Sequence, residues 1–221
     1  MDILNVIELR FGGLKITTGN RHTYLGMDIT FKKKTGTLEI RMKDHIKEAI
    51  EASMEDVSRG VSTPATRGLF DINEDSERLK PKKSDLYHHI VAKLLYVSTR
   101  SRLDIQLTIG FLCTRVTCST EEDWAKLKRL LQYLNRTLDE YLTLGADNMT
   151  SMNTWVDASY AVHSDMKSHT GGAISLGRGA AMSKSSKQKL NTKSSTEAEV
   201  VGTSDYAPNT FWAAQFLEQQ G

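Results

Sequence analysis

Asp157, near the close of a predicted strand, and Glu197 and Glu199, at the opening of a predicted helix, are the residues whose types and spacing could do chemistry. Trp155-Val156-Asp157-Ala158-Ser159-Tyr160-Ala161 leads to Ser194-Ser195-Thr196-Glu197-Ala198-Glu199 through Gly171-Gly172 and a lysine-rich stretch free of acid. Carboxylates are hard oxygen ligands. Several of them converging on one or two Mg²⁺ ions can activate water on one side of a phosphorus and stabilise the leaving oxygen on the other. Around a helix Glu197 and Glu199 differ by about 200°, so they cannot both face Asp157, and spacing leaves open which one does. Asp205 is about 240° beyond Glu199 and faces elsewhere. A plainer duty fits the same residues: a turn acid at the strand end, and glutamates complementing a helix dipole.

Lys184, Lys187, Lys189 and Lys193 could neutralise the phosphates of a duplex, or belong to a solvated edge strand. His163 follows Asp157 closely and could approach it as a proton carrier. Tyr24, Trp124 and Tyr133 read as core or half-core side chains.

The elements that must position these residues are legible in the periodicity. Tyr24 to Phe31 alternates, with Leu25, Met27, Ile29 and Phe31 on one side, and Leu38, Ile40 and Met42 alternate likewise. Lys32-Lys33-Lys34-Thr35-Gly36-Thr37 joins them, which predicts a hairpin with a basic tip. Asp44 to Val57 predicts a helix, and the polar stretch from Ser58 to Lys83 a linker or long surface loop. Helices are expected to resume after Ser84-Asp85, with the stripe Leu86, Ile90, Leu94 and Val97, and again over Ile105 to Leu112. Ser119-Thr120-Glu121-Glu122 is a start signal for a helix carrying Trp124, Leu127, Leu131 and Leu134. Strands are predicted over Met149 to Asp157, Ala173 to Leu176 and Ala180 to Leu190, with Gly177-Arg178-Gly179 as a turn. Ser194 to Gly202 predicts a helix that Pro208 kinks or breaks. Phe211, Trp212, Ala214, Phe216 and Leu217 belong to a final amphipathic piece. A boundary falls near Gly145 to Thr150.

Composition narrows the class. A chain of 221 residues suits about one and a half to two domains. Hydrophobic content of 39% and charged content of 25% are those of an ordinary globular protein. With 29 basic against 27 acidic residues, any nucleic-acid contact must come from local patches. No apolar run approaches a membrane span, so no membrane partner is expected. Residues 1 to 20 lack the order of a signal peptide. Cys113 and Cys118 read as ordinary reduced thiols, which suits an intracellular location, cytoplasmic or nuclear.

Tyr24-Leu25-Gly26-Met27, Leu94-Leu95-Tyr96, Ser101-Arg102-Leu103-Asp104-Ile105 and Lys128-Arg129-Leu130-Leu131-Gln132-Tyr133-Leu134 precede Asp157 and Ser195-Thr196-Glu197-Ala198-Glu199. Their order resembles copia-type retrotransposon polyproteins, at the end of the reverse transcriptase and the start of the ribonuclease H domain. The resemblance covers nearly the whole chain. It implies an α+β fold: a β-hairpin and helical thumb/connection region, followed by a partial ribonuclease H-like fold without its last strands. It divides the chain into residues 1–60, the edge of the palm and start of the thumb; 61–148, the helical thumb/connection region; and 149–221, the first half of a ribonuclease H-like domain.

The implied activity of the parent is RNA-directed DNA synthesis with cleavage of RNA in RNA–DNA hybrids. By resemblance Asp157 takes the place of the first ribonuclease H carboxylate, and Glu199, rather than Glu197, that of the helix carboxylate. Both are then catalytic residues and ligands of Mg²⁺. Lys184 to Gln188 resembles the family's serine-lysine-glutamine strand, which makes Lys184, Lys187 and Gln188 candidate nucleic-acid contacts. The implied partners are an RNA–DNA hybrid or other nucleic acid, and the rest of the Pol polyprotein.

Departures accompany the match. Leu103 stands where the family usually has proline, Arg136 where glycine is usual, Asp123 for a common histidine, and Ser159 for a frequent second aspartate. The polymerase's paired aspartates would lie upstream of Met1, and two further ribonuclease H aspartates beyond Gly221. The chain alone is therefore expected to have no polymerase activity and little or no nuclease activity, with an open sheet edge and an apolar face on its last helix. The alternatives are a non-catalytic nucleic-acid-binding fragment and the product of a decayed copy without function.

Overall fold

The computed structural model describes residues 3–148 and 150–220. It is a mixed α+β structure with antiparallel sheets and six α-helices among the described residues. Helix α1, Ile3–Phe11, buries none of its side chains. Strands β1, Arg21–Tyr24, β2, Met27–Lys32, and β3, Thr37–Arg41, form an antiparallel meander.

The uninterrupted strand expected from Tyr24 to Phe31 reverses instead at Leu25-Gly26, where Tyr24 pairs with Met27. Both turn residues have positive φ, 50° and 74°, as a two-residue hairpin with the right twist requires. A side chain at Gly26 would run into the His45 ring, so glycine is needed there twice over. Tyr24 is 61% exposed as a consequence, and its placement in the core is corrected.

Four helices hold the main core: α2, Lys43–Ser53, α3, Pro81–Ser98, α4, Gln106–Thr114, and α5, Glu121–Arg136. Ile46, Ile90, Leu94, Ile109, Leu127 and Leu131 meet there, each at most 1% exposed. α5 starts on a reciprocal cap. The Asp123 N–H donates to Thr120 Oγ1, and the Thr120 N–H donates to Asp123 Oδ2. α3 begins earlier than expected, with Pro81 in its first turn, where the missing N–H costs nothing. The stretch expected as a linker is partly built into the core through Leu69 and Leu79, and Arg78 bridges to Thr120.

Strand β4, Leu142–Ala146, pairs with β3 and was not foreseen. Beyond it come β5, Asn153–Ser159, β6, His169–Ser175, β7, Gly177–Arg178, and β8, Met182–Lys187. The expected turn at Gly177-Arg178-Gly179 is thus a short strand, which pairs with β4 and completes a five-stranded sheet, β1-β2-β3-β4-β7. Strand β5 starts later than expected and runs past Asp157; Met149, the expected start, lies outside the described residues.

A second sheet has the order β5-β6-β8. Among the described residues β5 is paired on one side only. Helix α6, Ser195–Gln220, covers one face of this sheet and continues unbroken through Pro208. Proline removes one helical hydrogen bond, but buried Tyr206 and Ala213 anchor the turns on either side. Its far half leaves Phe211, Trp212 and Phe216 exposed, with the last two rings stacked 5.5 Å apart.

Candidate functional site

Small residues bring α6 close to its sheet. Ala198 is fully buried, and a Cβ at Gly202 would sit 3.1 Å from Thr170 Oγ1 and 3.4 Å from Ala158 Cβ. Gly172 lies under the Tyr206 ring, which leaves no room for a side chain there. This close approach delivers Glu199 to the strand: its Oε1 accepts the Ala158 N–H at 3.2 Å. Among the described residues that amide belongs to the edge of β5 that carries no strand, so the glutamate satisfies an otherwise open donor. Asp157, the preceding residue, is exposed and sits across from Gly171, at which a Cβ would have open space.

Glu197 does something else. Its N–H donates to Ser194 Oγ at 3.1 Å, and its Oε2 accepts the Lys193 N–H at 2.7 Å. Glu197 is a cap of α6, while Glu199 reaches the strand that carries Asp157.

Asp157 borders a shallow groove of about 310 Å³ between β5–β6 and the chain entering α4. Trp155, Asp104, Leu107 and Lys184 also line it. Asp104 is the acid of a clamp that periodicity did not reveal. Arg102, 2% exposed, grips it with two N–H bonds of 3.0 and 2.8 Å and also donates to the Thr137 carbonyl at 2.9 Å. The Tyr133 hydroxyl donates to the same carboxylate at 2.7 Å. Burial opposes ionisation of Asp104, yet Arg102 and Tyr133 outweigh it and hold the carboxyl below its usual range. The Ser101 to Ile105 motif is therefore a joint between the end of α3 and the end of α5. Its signal in the sequence was an Arg-x-Asp spacing with no periodic role.

The candidate nucleic-acid contacts separate. Lys184 is exposed. Lys187 is paired with Asp165 at 2.7 Å. Gln188 is 2% exposed, and its amide nitrogen donates to Thr170 Oγ1 at 2.9 Å and to the Ala198 carbonyl at 2.8 Å. Gln188 ties the sheet to α6. His163 is buried in a pair with His169, a place that composition and spacing did not indicate.

Among the described residues no group of three or more His, Cys, Asp or Glu could hold a metal ion. Asp157 and Glu199 suit Mg²⁺ in donor type, since this ion keeps several waters and takes one or two carboxylates with substrate phosphates. No chemical step is assigned through a metal here.

Comparison with known proteins supplies the context. The chain is 26% identical over 208 residues to the retrovirus-related Pol polyprotein from transposon TNT 1-94 of Nicotiana tabacum. That match covers 92% of the chain and 16% of the relative. It is 27% identical over 202 residues to the Pol polyprotein from transposon RE2 of Arabidopsis thaliana, 90% of the chain and 14% of the relative. Over most of its length the chain is a homologue of copia-type transposon Pol polyproteins. A putative transposon Ty5-1 protein of Saccharomyces cerevisiae matches at 26% over 193 residues, 85% of the chain and 60% of that protein. The chain spans less than a fifth of the length of the Pol polyproteins it matches. No protein-family profile and no solved structure matches it. None of its described helices is long and apolar enough to cross a membrane.

Proposed function

We propose that the chain is the stretch of a copia-type Pol polyprotein that joins the end of a reverse transcriptase to the first half of a ribonuclease H domain. The observation that carries this reading is the delivery of Glu199 to the edge of β5 beside Asp157. Glu199 holds the backbone amide next to Asp157, and in this reading the helix acid and the strand acid are two members of a carboxylate metal site. In the whole polyprotein Asp157 and Glu199 act as two ligands of Mg²⁺, and an RNA–DNA hybrid is the substrate. A two-metal hydrolytic site needs further groups to place both ions, so the chain by itself is expected to have little or no nuclease activity. Exposed Lys184 beside the groove supports contact with the phosphate backbone.

A chimera tests the assignment. The corresponding stretch of an active copia-type Pol polyprotein is replaced by residues 24–221 of this chain, and hybrid cleavage is measured. Cleavage is expected, with losses of at least 100-fold in Asp157→Asn and Glu199→Gln and little change in Glu197→Gln. A folded chimera that needs Glu197 and tolerates Glu199→Gln would overturn it.

A further inference from the structure

His163 and His169 lie outside the carboxylate site and are each 7% exposed. The two rings are joined by a hydrogen bond between His163 Nε2 and His169 Nδ1 of 3.0 Å, and His169 Nε2 meets Ser185 Oγ at 2.8 Å. Phe70, from the segment between α2 and α3, packs edge-on against His163 with centroids 4.6 Å apart. The same ring lies 5.6 Å from His169 and 5.7 Å from Phe111 of α4. The pair therefore sits where the helical core, the Phe70 segment and the β5-β6-β8 sheet meet.

We propose that His163 and His169 form a proton-operated latch that fastens the Phe70 segment and α4 to the small sheet when neutral and releases them on protonation. The hydrogen-bond chain is complete with both rings neutral, whichever way the Ser185 hydroxyl points. It can carry one added proton, because one shared N–H suffices between the rings. It cannot carry two, since N–H groups would then oppose each other across 3.0 Å.

The first proton is disfavoured as well. Burial against Phe70 opposes charge on His169, holding it down to about 4, and the neighbouring His163 adds to this. Burial and then Lys187 of β8 oppose charge on His163, while Asp165 favours it. Among the described residues, three ion pairs flank the junction. Lys187 binds Asp165, Lys126 over the Phe111 ring binds Glu122, and Arg115 binds Asp123. Lys167 also flanks Asp165.

An unfolded or undocked histidine takes up its proton near pH 6.5. The docked pair resists until lower pH, so docking is strongest above pH 6.5 and weakens as pH falls toward 4. Each proton taken up on release multiplies the released fraction by up to about tenfold per pH unit.

Hydrogen exchange of the full chain from pH 7.5 to 4.5, corrected for intrinsic rates, reads this directly. Protection of residues 66–72 and of β6 is expected to fall at least tenfold between pH 6.5 and 5, while α5 stays protected. In the variant His163→Gln/His169→Gln the dependence should vanish. Should that variant fail to fold, Lys187→Gln decides: freeing Asp165 and removing the cation makes charge on docked His163 less unfavourable, so the release should weaken or move to lower pH. A flat profile in the parent chain, an unchanged profile in the double variant, or an unchanged or upward-shifted release in Lys187→Gln would overturn the latch.

Discussion

Replacing Gly172 with alanine adds one methyl group at the place where α6 lies closest to the sheet. The new Cβ would fall 2.7 Å from Tyr206 Cγ and nearer still to Cδ2 and Cε2. Carbon atoms settle at about 3.5–4.0 Å, so the ring must retreat by about 1 Å. Tyr206 is 2% exposed, packed with Ile174, and fixed on a long helix, so it has little freedom to do so. The backbone at Gly172 lies outside the positive-φ region, so the penalty is steric only. Overpacking of this kind costs about 1–3 kcal/mol.

The assay is a double-mutant cycle by urea unfolding, with hydrogen exchange over α6 to localise the effect. Tyr206→Ala alone should destabilise by about 3–5 kcal/mol through the cavity it leaves. In that background Gly172→Ala should cost almost nothing, giving a coupling of about 1–3 kcal/mol. Exchange at the Ala158 amide should accelerate in Gly172→Ala, because the helix that carries Glu199 is pushed away. Equal stability of Gly172→Ala and the parent, or an undiminished cost without the ring, would refute the close-packing argument.

Arg102→Leu should destabilise by about 1–3 kcal/mol in thermal unfolding, since it removes the bonds to Thr137 and to the Asp104 carboxylate, which solvent can partly satisfy at 40% exposure. Asp104 is held below its unfolded value of about 3.9, so the clamp contributes fully above that pH. Its contribution fades as pH falls through the lower folded value, and an acid titration of the parent against Arg102→Leu should converge there. Thr120→Ala removes the cap of α5 and should lower stability by about 1 kcal/mol, measured by urea midpoint at unchanged slope. Tyr206→Phe should be neutral or mildly stabilising in the same assay, because the buried hydroxyl has no hydrogen-bond partner among the described residues.

Where periodicity was long and one-sided, the fold could be read from the chain. The stripes of α3 and α5 and the start signal at Thr120 led to the right elements, because amphipathic helices advertise the core they face. Strand β4 was missed for the opposite reason. Leu142-Thr143-Leu144-Gly145-Ala146 is short, and its pairing partners on β3 lie about a hundred residues away, which local pattern does not encode. Leu69, Phe70 and Leu79 sit in a polar stretch without period, so their burial was invisible until the helices and sheet enclosed them. Pro208 read as a break because local propensity was weighed without the tertiary anchors of α6.

At the site, Asp157 could be singled out from its position on a strand. The division between Glu197 and Glu199 depends on where the helix starts and how it lies on the sheet, which spacing alone leaves open. Gln188 shows the reverse. An amide beside lysines looks like a surface contact, and only the approach of Thr170 and Ala198 reveals a buried tie.

The most direct measurement of the central claim is cleavage of a labelled RNA–DNA hybrid by the purified chain in Mg²⁺. The account predicts no hydrolysis above the uncatalysed background, with at most a salt-sensitive shift in hybrid mobility that Asp157→Asn leaves unchanged. Robust Mg²⁺-dependent cleavage, abolished by Asp157→Asn, would contradict it.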